Sequence, residues 1–119
     1  MDRPVVLVVD DDALVLRALL ACLKSDEYEL YSATSGPEAL LLADQLGARL
    51  KLLVTDFLMP RMSGTELIRL ARAKNPGIRV LLLSGLSPIP GFEHETMEKP
   101  YDLVAIRARI AEELSLKPP

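Results

Sequence analysis

Short runs of uninterrupted apolar residues alternate along this chain with longer segments in which apolar positions recur every three or four residues. That alternation predicts a parallel sheet buried on both faces by helices, because a strand covered on both sides has no polar face to show. Residues 5–9 read as the first strand. Residues 13–23 read as a helix whose Ala, Leu and Val positions pack inward while Arg17 and Lys24 point out, and Cys22 is a small core residue of that helix. A second strand is expected over 28–33. Ser35-Gly36-Pro37-Glu38 then has the pattern of a capping box with proline in the first turn, opening a helix to about residue 48. Residues 52–55 make a third strand that ends in Asp56. Ser63-Gly64-Thr65-Glu66 is a second capping box, and its helix runs to Lys74, where Asn75-Pro76-Gly77 stops it. A fourth strand is predicted over 79–83 and a short fifth over 95–98. Pro100-Tyr101-Asp102 starts a final amphipathic helix from 103 to about 114, and residues 115–119 are a flexible tail. With right-handed crossovers, five such strands give the doubly wound order 2-1-3-4-5.

Composition fixes the scale of this α/β fold. The 119 residues, half of them hydrophobic, suit a single domain spanning 1–119 with one core. A charged share of 26% and a mean hydropathy of +0.22 are those of a globule, not a disordered chain. One cysteine, Cys22, and one histidine, His94, cannot assemble a zinc site, so any metal must sit on oxygen. A net charge of -3 gives no general electrostatic reason to bind nucleic acid. The apolar run at 5–9 is too short for a signal-peptide core and enters Asp10-Asp11-Asp12, and no run approaches the roughly 18 residues of a membrane helix. The expected location is the cytoplasm, with no membrane association.

The chemistry collects at one rim. In a doubly wound sheet, ligands bind outside the carboxyl ends of the strands where the order reverses, here between strands one and three. Asp10, Asp11 and Asp12 follow strand one, Asp56 strand three, Ser84 strand four and Lys99 strand five. Each has a plain alternative: an Asp run before a helix caps it, Asp56 can head a turn, Ser84-Gly85 can leave a strand, and Lys99 can be a solvated charge. Placed together they describe something else. Clustered carboxylates repel unless a hard cation, Mg²⁺ or else Mn²⁺, neutralises them, and a lysine with a hydroxyl beside them can hold a phosphoryl group.

Four stretches in order carry a resemblance over nearly the whole chain: Val8-Val9-Asp10-Asp11-Asp12, then Val54-Thr55-Asp56-Phe57-Leu58-Met59-Pro60-Arg61-Met62-Ser63-Gly64, then Leu83-Ser84-Gly85, then Glu98-Lys99-Pro100. With these the sequence resembles the flavodoxin-like receiver domains of two-component response regulators. The resemblance implies that Asp56 accepts a phosphoryl group from a phosphohistidine on a histidine kinase or phosphotransfer protein. It implies that Asp11 binds Mg²⁺ directly, that Asp10 acts largely through water, and that the backbone carbonyl of Leu58 is a further ligand. Asp12 falls where the family tolerates other residues and is assigned as a helix cap. Ser84 matches the switch hydroxyl, Lys99 the phosphate-binding lysine, and Pro100 a proline usually preceded by a cis peptide. Leu58 and Leu86 match positions flanking the attacking water, which implies slow self-dephosphorylation.

Two departures shape the expectation for signalling. Thr96 occupies the position three before Lys99 where the family usually has a switch aromatic. Residues 85–94 contain Ser87-Pro88-Ile89-Pro90-Gly91, which leaves no uninterrupted helix, so the family's fourth helix is expected to be missing or one turn long. The switch is therefore expected in a segment with little regular hydrogen bonding that takes in Leu86, Ile89, Phe92 and Thr96, with Ile89 and Phe92 changing their contacts and Thr96 too small to report as an aromatic would. The function expected is a phosphoacceptor signalling domain, with self-phosphorylation from small donors and self-dephosphorylation as its only chemistry and no output domain following. A receiver-like interaction module that is never phosphorylated is the alternative. A haloacid-dehalogenase-type phosphatase, suggested by Asp10-x-Asp12, would need a late acidic pair on a strand, whereas Glu112 and Glu113 lie in a helical pattern.

Overall fold

The computed structural model describes residues 3–85, 89–99 and 102–114. Five parallel strands, β1 (Val5–Val9), β2 (Glu29–Ala33), β3 (Leu50–Asp56), β4 (Arg79–Ser84) and β5 (Thr96–Glu98), lie in the order β2-β1-β3-β4-β5. Among the described residues four α-helices accompany them: α1 (Ala13–Leu23), α2 (Gly36–Leu46), α3 (Gly64–Lys74) and α4 (Leu103–Glu113). The order predicted from hydrophobic patterning is the order observed. β3 is longer than the apolar run 52–55 because exposed Lys51 sits at an irregularity in the pairing of β1 with β3, where Val5 faces Leu50 and Val6 faces Leu52.

Strand alternation divides the core in two. Val5, Leu7, Val9, Leu53, Val80 and Leu82 face α2 and α3, while Val6, Val8, Leu52, Val54, Leu81 and Leu83 face α1 and α4. All are essentially inaccessible to solvent, so β1 and the inner stretches of β3 and β4 show no polar face and read as plain apolar runs, whereas the edge strands β2 and β5 are mostly half-buried. Helix starts follow the sequence signals. Ser35 Oγ accepts from the Glu38 N–H and Ser63 Oγ from the Glu66 N–H, each at 3.2 Å. Glu38 completes its box one residue early, accepting from the Thr34 N–H at 2.8 Å. α2 ends at Leu46 and continues as one 3-10 turn, Gly47–Arg49, where glycine takes φ 56°. α1 departs from expectation: Leu16, Leu19 and Leu23 are buried, but Leu14 and Val15 are exposed, Leu14 because the helical period turns it away from the stripe those three form.

Among the described residues there is no α-helix between β4 and β5. The expectation of little hydrogen bonding there needs correction. Residues 89–95 fold as consecutive turns, with Phe92 N–H donating to Ile89 O and Glu95 N–H to Phe92 O, while Thr96 Oγ1 donates to Phe92 O at 2.7 Å. Ion pairing of Arg72 with Glu95 and donation from Arg109 to His94 O fasten them to α3 and α4. Ile89 is buried in the core on the α3 side, with Phe92 packed against it. Leu86, Pro100 with its expected cis peptide, and the tail 115–119 lie outside the described residues.

Candidate phosphoacceptor site

The last residues of the strands and the first of the loops meet at the carboxyl rim. Asp10 follows β1 and is buried; its carboxylate accepts from the Asp12 N–H at 2.9 Å, and its own N–H donates to Ala33 O. Asp11 is exposed. Asp56 closes β3 and is 7% exposed. One carboxylate oxygen from each of Asp10, Asp11 and Asp56 lies within 4.8 Å of the others. Asp12 is not part of this group. Its Oδ1 accepts from the Leu14 and Val15 N–H groups, which makes it the N-cap of α1 as expected.

Opposite the carboxylates, Lys99 Nζ lies 2.7 Å from Asp56 Oδ1. The same oxygen accepts from the Phe57 N–H at 3.0 Å, a backbone donor that no side-chain pattern signals. Lys99 is placed by its backbone: its N–H donates to Ser84 O, which clamps the end of β5 to the end of β4 and brings buried Ser84 to the same rim. Leu58, 67% exposed, stands in the loop after Asp56. The loop returns tightly because Gly64 N–H donates to Phe57 O, and a Cβ at Gly64 would fall 2.2 Å from Asp56 O. Only glycine allows α3 to start so close to the phosphoacceptor candidate. Arg61 in this loop takes φ 69°, a left-handed conformation that costs an L-residue about 1–2 kcal/mol.

The electrostatics record crowding. Burial raises the Asp10 carboxyl above the ordinary carboxylate range, and the charges of Asp56 and Asp11 push the same way against the Asp12 N–H and Lys99. As pH rises, the unfolded chain therefore loses the Asp10 proton before the folded one does. The stability from Asp10 is complete below the ordinary value of 3.8 and disappears as pH passes the raised folded value. Without divalent metal, Asp10→Asn should thus raise the urea midpoint at pH 7, its amide oxygen still accepting from Asp12. The gain should shrink as pH falls toward 4; a gain unchanged between these pH values would contradict a carboxyl raised by burial and by its acidic neighbours.

The acidic late pair expected of a phosphatase is elsewhere. Glu113 pairs with Arg79 and Arg109 near the start of β4, at the far end of the sheet. Among the described residues, no helix is long and apolar enough to cross a membrane.

Fold and site together define a doubly wound domain with an acidic cluster and a lysine at its switch point. Comparison with known proteins makes the class specific. The response regulator receiver domain profile matches residues 6–111. Sensor kinase CckA of Brucella abortus (strain 2308) is 38% identical over 81 residues, 68% of this chain and 8% of that protein. Sensory transduction protein RegX3 of Mycobacterium tuberculosis (strain ATCC 25618 / H37Rv) is 31% identical over 112 residues, 88% of this chain and 48% of that protein. The chain thus spans less than half of either. The crystal structure of a two component transcriptional regulator AraC from Clostridium phytofermentans ISDg superposes with a TM-score of 0.78 at 28% identity, covering 94% of this chain and 92% of that one. The chain belongs to the response regulator receiver domain family of two-component systems. It is a signalling domain, and its three clustered carboxylates form an acidic pocket of the kind in which this family binds Mg²⁺.

Proposed function

We propose that the chain, as one receiver domain over 1–119, accepts a phosphoryl group on Asp56 from a phosphohistidine of a histidine kinase or phosphotransfer protein. The observation that supports this most is the opposition of charge at one carboxylate: Asp56 holds the Lys99 ammonium at 2.7 Å while sharing an acidic cluster with Asp10 and Asp11. A carboxylate oxygen of Asp56 attacks phosphorus, the new P–O bond forms as the P–N bond breaks, and the freed imidazole keeps the electron pair and takes a proton. Asp11 and Asp10, with Asp56 and the Leu58 carbonyl, would hold Mg²⁺, which when bound offsets the charge of the phosphoryl oxygens. Lys99 pairs with one phosphoryl oxygen and the Ser84 hydroxyl with another, so phosphorylation pulls on both ends of the segment that includes Ile89, Phe92 and Thr96. No turnover beyond self-phosphorylation and self-dephosphorylation belongs to this reading. A cytoplasmic location goes with this reading, since it is where such a phosphohistidine donor would be met.

Radiolabel taken from phosphoramidate should be released by neutral hydroxylamine, as an acyl phosphate is. Label that survives hydroxylamine would put the phosphate on a hydroxyl and overturn the assignment. Lys99→Ala should leave Mg²⁺ affinity within about twofold yet slow phosphoryl uptake by on the order of tenfold or more, since the ammonium faces the phosphoryl group and not the metal. Titration calorimetry and label uptake on one preparation check both halves. Exposed, apolar Leu58 offers no hydrogen bond to an attacking water. Leu58→Asn should therefore speed loss of label, by about tenfold at most.

A further inference from the structure

Where a helix would ordinarily cover the sheet beside α3, this fold leaves a groove of about 480 Å³ between α3 and the turns after residue 89. Buried Ile68 and Ile89 and half-buried Phe57 and Phe92 give it an apolar lining, and Arg69 and Arg72 stand along its α3 side. The two arginines are three residues apart on one helix and so share a face. Arg72 pairs with Glu95, whereas exposed Arg69 has no carboxylate partner among the described residues. An apolar depression edged by an exposed guanidinium suits a ligand with bulky apolar groups beside an anion. In a signalling domain, whose output is contact with other proteins, that ligand is a polypeptide segment.

We propose that this groove docks an acidic segment of a partner protein, with apolar side chains seated between Phe57, Ile68, Ile89 and Phe92 and a carboxylate paired to Arg69. The groove also touches the phosphoacceptor site on two sides. The Phe57 N–H donates to Asp56 Oδ1, and Ile89 and Phe92 lie on the chain between Ser84 and Lys99. Coupling of docking to Asp56 rests on the phosphoacceptor reading, but docking itself does not, so the test uses the full, unphosphorylated chain.

A random peptide library displayed on phage is selected on the wild-type protein, and enriched peptides are synthesised and titrated by fluorescence anisotropy. Enriched sequences should place Asp or Glu beside Phe, Leu, Ile or Met. Arg69→Glu should weaken them by about tenfold or more, and peptides with the acids changed to Lys should bind that variant better than the wild type. Arg17→Glu, an exposed change on α1 across the sheet, should leave affinity unaltered. Because Arg69 is exposed, the variant should fold, and far-UV circular dichroism verifies that it has. Failure to enrich any peptide, enrichment without acidic residues, or affinity indifferent to Arg69→Glu would each overturn the proposal.

Discussion

Asp56→Asn should reduce phosphoryl uptake to background, at least about a hundredfold below wild type, while the protein stays folded. Asparagine is nearly isosteric with aspartate and keeps an oxygen that can accept from the Phe57 N–H, so the turn into the β3–α3 loop keeps its hydrogen bond. What it loses is the anionic nucleophile, and an amide oxygen cannot form the acyl phosphate. Neighbouring carboxylates cannot substitute. Asp10 is buried and already accepts from the Asp12 N–H, and Asp11 is the exposed member of the cluster, whereas Asp56 holds the Lys99 ammonium. Label uptake from acetyl phosphate with Mg²⁺, read beside far-UV circular dichroism, gives the comparison. Labelling of Asp56→Asn at the wild-type rate would move the phosphoacceptor to another residue.

The second large effect separates two adjacent aspartates. Asp11→Ala should weaken Mg²⁺ binding by at least about tenfold and slow phosphorylation accordingly, because it removes one of three carboxylates that converge within 4.8 Å. Asp12→Ala should leave the metal affinity nearly unchanged and cost about 0.5–2 kcal/mol of stability, because its carboxylate is occupied in capping the Leu14 and Val15 N–H groups. Calorimetric Mg²⁺ titration and urea unfolding on the same two variants distinguish the roles. Equal loss of Mg²⁺ affinity in both would show that Asp12 leaves its cap to join the metal.

The strands and most helix ends were legible because each is written in local residues. Val5–Val9 is buried on both faces and reads as an unbroken apolar run, and Ser35 and Ser63 sit where their hydroxyls cap α2 and α3. The rim was legible for a related reason: strand order alone brings the residues at the carboxyl ends of β1, β3, β4 and β5 together. What lay beyond local patterning was set by contacts far apart in sequence. Nothing near Glu95 announces Arg72, and nothing near His94 announces Arg109, yet these contacts help to fasten a segment that prolines and glycines mark as irregular. The Phe57 N–H at Asp56 is a main-chain donor, identical in every residue but proline, and carries no sequence signal. Apolar residues stand on more than one face of α1, so their pattern did not show that Leu14, on the face of exposed Arg17 and Ala18, would lie away from the core.

On the proposed function, Asp56, with a metal held by its acidic neighbours, takes one phosphoryl group. Intact-mass spectrometry of the wild-type chain after incubation with acetyl phosphate, with and without Mg²⁺, followed by peptide mapping, tests site, metal and competence together. A gain of one phosphoryl group that requires Mg²⁺ and maps to Asp56 is the result this account predicts. No gain, a gain indifferent to Mg²⁺, or a phosphoryl group mapped to any other residue would contradict it.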